Sequence, residues 1–366
     1  MKKFIKNVLL FFVPIILLLS LYAVGLINSG ELLSMEDIAD KMVSGDAELL
    51  GFSYRNDSFV HKHLVASRKS ADLLVLGTSR AMQFHDEFFT DLSFYNAGGS
   101  AAYLSENLFF LQNLPQQSLP SILILVTDQN FYNEVWSGDV NPDYSYTPTA
   151  IDAANKLSRL LGDFYKVRLD KLIFANGDKI GVAANIRGSG FNRDGSYNYG
   201  EMLTNPKLLN DKNFAETFTK IKNSTARFEQ AEEIYTPSLD ETEKLLSFCN
   251  ENNIQVVGIL PPYAPSVINE MRSSGQYGYI DKLYSTLLPM YTKYGFELYD
   301  YSFLENSKDE QFIDGYHGSD RVYAQITLEL ADKSQSLAPF IKKPDISQLL
   351  QDTGNPLTIN FPVKQS

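Results

Sequence analysis

Three residue types that could perform acyl chemistry stand at suggestive places in this chain. Ser79 follows the apolar run "DLLVLG" inside "GTSR", and Asp314 and His317 lie three residues apart in "FIDGYHGSD". A histidine can take a serine proton and an aspartate can fix the histidine tautomer, so the three together would make an activated nucleophile. Ser79 and His317 are 238 positions apart, so only a fold that gathers distant loops at one edge could unite them. The alternative for Ser79 is a helix N-cap at a strand-to-helix turn. Arg80, next in the chain, could pair with an acid or hold an anionic substrate group.

The surrounding pattern predicts such a fold. "DLLVLG", "LSFYNAGGS", "SILILVTD", "IQVVGILPPY" and "FELYDYS" are short apolar runs closed by turn residues, as strands buried on both faces require. Between them, "YLSENLFFLQNL", "TAIDAANKLSRLLGDFY", "SLDETEKLLSFCNENN", "YIDKLYSTLLPMYTKYG" and "RVYAQITLELADK" have helical spacing. Ser238 and Glu241 read as a capping box opening the third of these. This alternation predicts an α/β fold with a mainly parallel sheet, whose sites lie at the carboxyl ends of the strands. Residues 168–235 break the rhythm and read as an insertion, a hairpin or lid turning at "RDG". The tail from about Leu337 is weakly patterned.

The N-terminus predicts a membrane anchor. Val8 to Ile27 is twenty residues without a charge, preceded by "MKKFIK". Lysines on that side place it in the cytoplasm and the bulk of the chain outside. "AVG" at Ala23–Gly25 leaves a cleaved signal peptide as the competing reading. The expected order is a cytoplasmic tail (1–7), an anchor (8–27), a juxtamembrane segment (28–69), the α/β domain (70–335) and a C-terminal tail (336–366).

Composition excludes other classes. The net charge is −12, and the first thirty residues hold three lysines and no acid, so the rest carries about −15. That field repels nucleic acid. A single cysteine, Cys249, permits no internal disulfide and no cysteine-based metal site. His61, His63 and His85 show no evident partners, and "HKH" lacks carboxylates at ligand spacing, so neither a metal nor a cofactor is expected. Neither a Gly-x-Gly-x-x-Gly turn after the first strand nor a Gly-Lys-Ser/Thr loop is present, which sets nucleotide binding aside. Tyr263 and the prolines after "GIL" could wall a cleft or simply pack, and the aromatic residues of 131–147 and 193–199 could stack on sugar rings.

On "GTSR", "NAGGSA", "TDQN" and "DGYH", in that order and each after a strand, residues 70–335 resemble the SGNH/GDSL hydrolase superfamily. The resemblance implies a three-layer, flavodoxin-like α/β/α domain with Ser79, His317 and Asp314 as triad. It also implies oxyanion donors from a second-block glycine and a third-block asparagine. Here the second block falls on Ala101, beside Gly98 and Gly99, with backbone N–H groups at Ser79 and around Gly99–Ala101 available. The third block has Asp128, and a carboxylate cannot donate unless protonated. Either Asn130 supplies the amide, or Asp128 is structural and the donors are backbone alone.

The N-terminal helix, "GTSR" and "GILPPYAP" are most similar to membrane-anchored members serving envelope acylation, namely the D-alanyl transfer protein of teichoic acids and exopolysaccharide O-acetyltransferase-like proteins. That likeness implies a single-pass protein of a bacterial cytoplasmic membrane. It would be an extracytoplasmic serine esterase or O-acyltransferase acting on a cell-surface glycan or envelope polymer, beside a polytopic membrane-bound O-acyltransferase. The rival expectation is a non-catalytic protein of the same fold that binds glycan or such a partner.

Overall fold

The computed structural model describes residues 1–54, 58–137, 169–175, 177–205, 208–209, 211–351 and 354–361. The helix expected over residues 149–165 lies outside them. Two compact units divide the chain: Met1–Asp57 with Asp143–Arg193 and Tyr197–Glu201, and Ser58–Pro142 with Asp194–Ser196 and Met202–Ser366.

In the first unit, helix Lys2–Asn28 is long and apolar enough to cross a membrane. Helix Met35–Ser44 follows, capped by Ser34, whose hydroxyl accepts from the Asp37 N–H, and ended by Gly45 in the left-handed conformation. Leu49–Leu50 pairs parallel with Lys179–Ile180 and antiparallel with Gly190–Asn192, which returns as a hairpin to Tyr197–Asn198. The hairpin predicted at "RDG" is therefore present, but as part of a four-stranded sheet. Buried Glu31 holds this unit together, accepting N–H bonds from Ser53, Tyr54 and Val182.

The second unit is built on five parallel strands: β1 (Leu73–Gly77), β2 (Phe94–Asn96), β3 (Ile122–Val126), β4 (Gln255–Leu260) and β5 (Glu297–Asp300). Their spatial order is β2-β1-β3-β4-β5. β1 and β3 are buried at every position, as their unbroken apolar runs require. The order reverses between β1 and β3, which makes their carboxyl ends the crevice of a doubly wound sheet. Right-handed crossovers that travel in one direction across a sheet lay their helices on one face. Leu104–Gln112, Thr236–Glu251 and Gly278–Lys293 make such crossings, and the first and third both pack on Thr236–Glu251. The β1-to-β2 connection runs the other way; it packs on helix Asp320–Lys333 through Phe84 and Tyr323, whose rings meet edge to face at 4.9 Å.

Two expectations need correction. Helix Thr236–Glu251 begins two residues before Ser238, with Pro237 in its first turn, where the missing N–H costs nothing. Ser238 is inside the helix and donates to the Phe131 carbonyl, so it is no cap. The weakly patterned tail contains a helix, Lys343–Gln351, and the Arg321 guanidinium holds the carbonyls of Leu350 and Asn355. His85 is not unpartnered; its Nε2 lies 3.0 Å from Asp320 Oδ1 and its ring 4.8 Å from that of Phe361. His63 stacks on Phe59 and meets Phe110 edge to face, and burial, with the charge of Lys62, pushes His61 down to about 3. Buried Cys249 has its thiol pushed up to about 12 by burial.

Burial by itself would lower the His85 pKa, but the charge and hydrogen bond of Asp320, with Asp194 and Glu87 nearby, raise it to about 9 from an ordinary 6.5. A raised folded-state pKa stabilises fully below pH 6.5 and is lost as pH rises through 9. The stability gap between wild type and His85→Gln, measured by urea unfolding, is expected to be about 3 kcal/mol at pH 6 and to close above pH 9. A gap independent of pH would show that the imidazolium–Asp320 pair is not its source.

Candidate active site

At the end of β1 the chain turns on Gly77, whose φ of +146° and closeness to β3 leave no room for a side chain; a Cβ there would stand 2.7 Å from the Val126 carbonyl. Ser79–Ala81 then forms one turn of 3₁₀ helix. Thr78, not Ser79, caps that turn: its Oγ1 accepts from the Arg80 N–H at 3.2 Å and donates to Asp128 at 2.9 Å. The serine hydroxyl is thus free of capping duty and lies 2.8 Å from His317 Nε2.

His317 sits on the loop after β5. The loop is pinched by an Ile313 N–H to His317 carbonyl bond of 2.8 Å. Asp314 accepts the N–H groups of Tyr316 and His317 at 2.8 and 2.7 Å, and its carboxylate faces His317 Nδ1 at 2.9 and 3.0 Å. This fixes the ring with Nδ1–H toward the acid and Nε2 toward Ser79. Burial would raise the Asp314 pKa, but the histidine and these hydrogen bonds bring it to about 2, so it is ionised at any ordinary pH. Ser79, His317 and Asp314 are together.

The other expected site residues lie elsewhere. Arg80 and Asp128 form a wholly buried ion pair of 3.3 Å. The Arg80 fork also donates to Gln129 and to the carbonyls of Pro261 and Pro262, between the rings of Tyr263 and Tyr316 at 4.2 and 4.5 Å. The prolines and Tyr263 therefore pack around Arg80 rather than wall a cleft. Burial would raise the Asp128 pKa, but Arg80 and the Tyr316 hydroxyl lower it instead. Tyr316 donates to Asp128 at 2.6 Å. Asn130 has both amide protons engaged, toward Asp128 at 3.2 Å and Tyr316 at 2.7 Å. The Gly99 N–H points back to the carbonyls of Gly77 and Thr78, and that of Ala101 to Gly77. Of the backbone donors expected, the Ser79 N–H alone is unengaged among the described residues.

The glycine turn serves the serine differently. Buried Asn96 donates to the carbonyls of Ala81 and Phe84 and accepts the Gly98 N–H, lashing the turn to the segment after Ser79. Gly98 lies so close that a Cβ would stand 2.8 Å from Ala81.

A cleft of about 380 Å³ opens over Ser79, Asp314 and His317, with Thr217, Lys220, Arg227 and Phe228 on its far wall. Sequence reasoning missed that wall, which comes from the segment read as an insertion. Its one audible signal, Arg227 in "STARFEQ", carries no motif. No protein-family model matches the chain, and no curated protein matches it in sequence.

Removing one member of a buried pair strands the other charge. Asp128→Ala is expected to lower the unfolding free energy in urea by about 3–5 kcal/mol. The pair Arg80→Met with Asp128→Leu should cost less than the sum of the single changes. Strict additivity would mean that the two side chains do not depend on one another.

Proposed function

We propose that the protein is a serine esterase or O-acyltransferase of the SGNH/GDSL kind, anchored by helix Lys2–Asn28 in a bacterial cytoplasmic membrane with its α/β unit outside. The observation that carries this reading is the continuous line from Ser79 Oγ through His317 to Asp314 beneath an open cleft. The strand order supports it, since it sets the serine at the crevice where such sheets hold ligands.

The chemistry follows from the geometry. His317 Nε2 takes the Ser79 proton as Oγ attacks an ester carbonyl, and Asp314 stabilises the imidazolium that results. The developing oxyanion meets the Ser79 N–H. As the tetrahedral intermediate collapses, His317 returns the proton to the leaving alkoxide, which departs as an alcohol and leaves an acyl-Ser79 ester. Water or a sugar hydroxyl then surrenders its proton to His317 and accepts the acyl group, and His317 passes that proton to the departing Ser79 Oγ, restoring the serine. The substrate is an acyl ester of a cell-surface glycan or envelope polymer, and a polytopic membrane-bound acyltransferase is the partner that would supply acyl groups from the inner side.

A second reading, a glycan- or partner-binding protein that has kept the fold, is favoured by one observation. Every expected oxyanion donor other than the Ser79 N–H is already spent. One experiment separates them. The detergent-solubilised full chain should hydrolyse p-nitrophenyl acetate and take a serine-directed phosphonate at Ser79. Ser79→Ala and His317→Ala should each lower kcat/KM by at least about 10³-fold. Equal rates in all three proteins, with no labelling, would leave the binding reading standing.

A further inference from the structure

The far wall of the cleft carries a cation that the serine, histidine and aspartate do not use. The Arg227 guanidinium carbon lies over the Trp136 ring, 3.6 Å from its centre. Of its five N–H donors, one reaches a partner among the described residues, the Ala102 carbonyl at 3.3 Å. The acid nearest in sequence, Glu229, is otherwise occupied. Its Oε2 accepts the Trp136 indole N–H at 2.5 Å and the Arg227 backbone N–H at 3.1 Å. Glu229 thus holds the aromatic platform and the backbone, and leaves the guanidinium without a carboxylate among the described residues.

The other charged side chains of the cleft wall are engaged. Lys220 pairs with Glu216 at 2.6 Å. Asp211 accepts the N–H groups of Glu216 and Thr217 at the start of helix Ala215–Asn223, and Asp314 is committed to His317. Asp128, which feels the charge of Arg227, is already offset by Arg80. The backbone leading to this arginine is unusual as well: Ser224, Ala226 and Arg227 all have positive φ, at 54°, 54° and 79°. Residues with side chains resist that region, and such outliers persist where the surroundings hold them.

We propose that Arg227, pre-set on Trp136, recognises an anionic group on the molecule that enters the cleft. A planar fork with free donors fits a carboxylate or a phosphate, and the platform orients it before the anion arrives. In a chain of net charge −12, an anion needs such a local cation to stay bound. Together with the reading of Ser79 as nucleophile, this makes the substrate an acyl ester, or a hydroxyl acceptor, borne on a carboxylated or phosphorylated polymer. Anion binding itself does not depend on that reading.

Trp136 is the single tryptophan of the chain, so its emission reports on this corner directly. The detergent-solubilised full chain is titrated at constant ionic strength with inorganic phosphate, with glucuronate and with glucose. A saturable change with phosphate or glucuronate, and none with glucose, is expected; whichever anion saturates lower identifies the group. Arg227→Gln should raise the midpoint at least tenfold, and Arg227→Lys, which keeps the charge without the fork, should raise it less. No saturable change with either anion, an equal response to glucose, an unmoved midpoint in Arg227→Gln, or equal weakening in both variants would each overturn the proposal. The readout needs no turnover, so it can succeed where phosphonate labelling of Ser79 fails, and the reverse.

Discussion

Burying Arg80 and Asp128 together is the constraint on which the rest of the second unit depends. Neither side chain is exposed, and a buried pair is tolerable only when nearly every remaining donor and acceptor is met. The structure meets them with material from the ends of several strands. Thr78 comes from β1, Gln129 and Asn130 from β3, and the carbonyls of Pro261 and Pro262 from β4. Ser302, after β5, joins through Gln129. The carboxyl edge of the sheet is tied at one point, and an adjustment in any of these loops would expose an unpaired charge.

That knot also relates the two halves of the serine–histidine pair. Ser79 precedes Arg80, and Tyr316, which bonds Asp128, precedes His317. Each side chain of that pair is thus one residue from a group whose position is dictated by a buried charge. Preorganisation of this kind suits a site that must hold a 2.8 Å hydrogen bond between residues far apart in the chain. Thr78 contributes by capping the turn itself, which frees Ser79 from the role serines often take in such corners.

Much of this was legible in the sequence because strand burial and motif order are written in residue types. The five apolar runs became the five strands, and "GTSR" and "DGYH" meet as their spacing after strands suggested. Less legible were the features that arise from partners distant in sequence. Asp128 occupies a position where an asparagine was expected, and only its contact with Arg80 explains a carboxylate there. His85 gave no sign of Asp320, 235 residues on. Ser238 and Glu241 have capping-box spacing, but Pro237 starts the helix earlier and burial claims the serine hydroxyl for Phe131. Arg227 was silent for a related reason. An arginine in a polar stretch resembles any solvated arginine until the fold lays it on an aromatic ring.

The threading of the second unit has a consequence in time. β1 can pair with β2 and β3 once the first 126 residues are available, since its neighbours are local. Its serine then waits. The buried arginine beside it needs the carbonyls of Pro261 and Pro262, the imidazole comes at 317, and Phe361 meets the His85 ring. A chain emerging N-terminus first therefore carries the serine without its histidine for most of its synthesis. Contacts of such long separation form late. A partly emerged chain would hold the serine as an ordinary alcohol, without its hydrogen bond to His317, until the last helices dock.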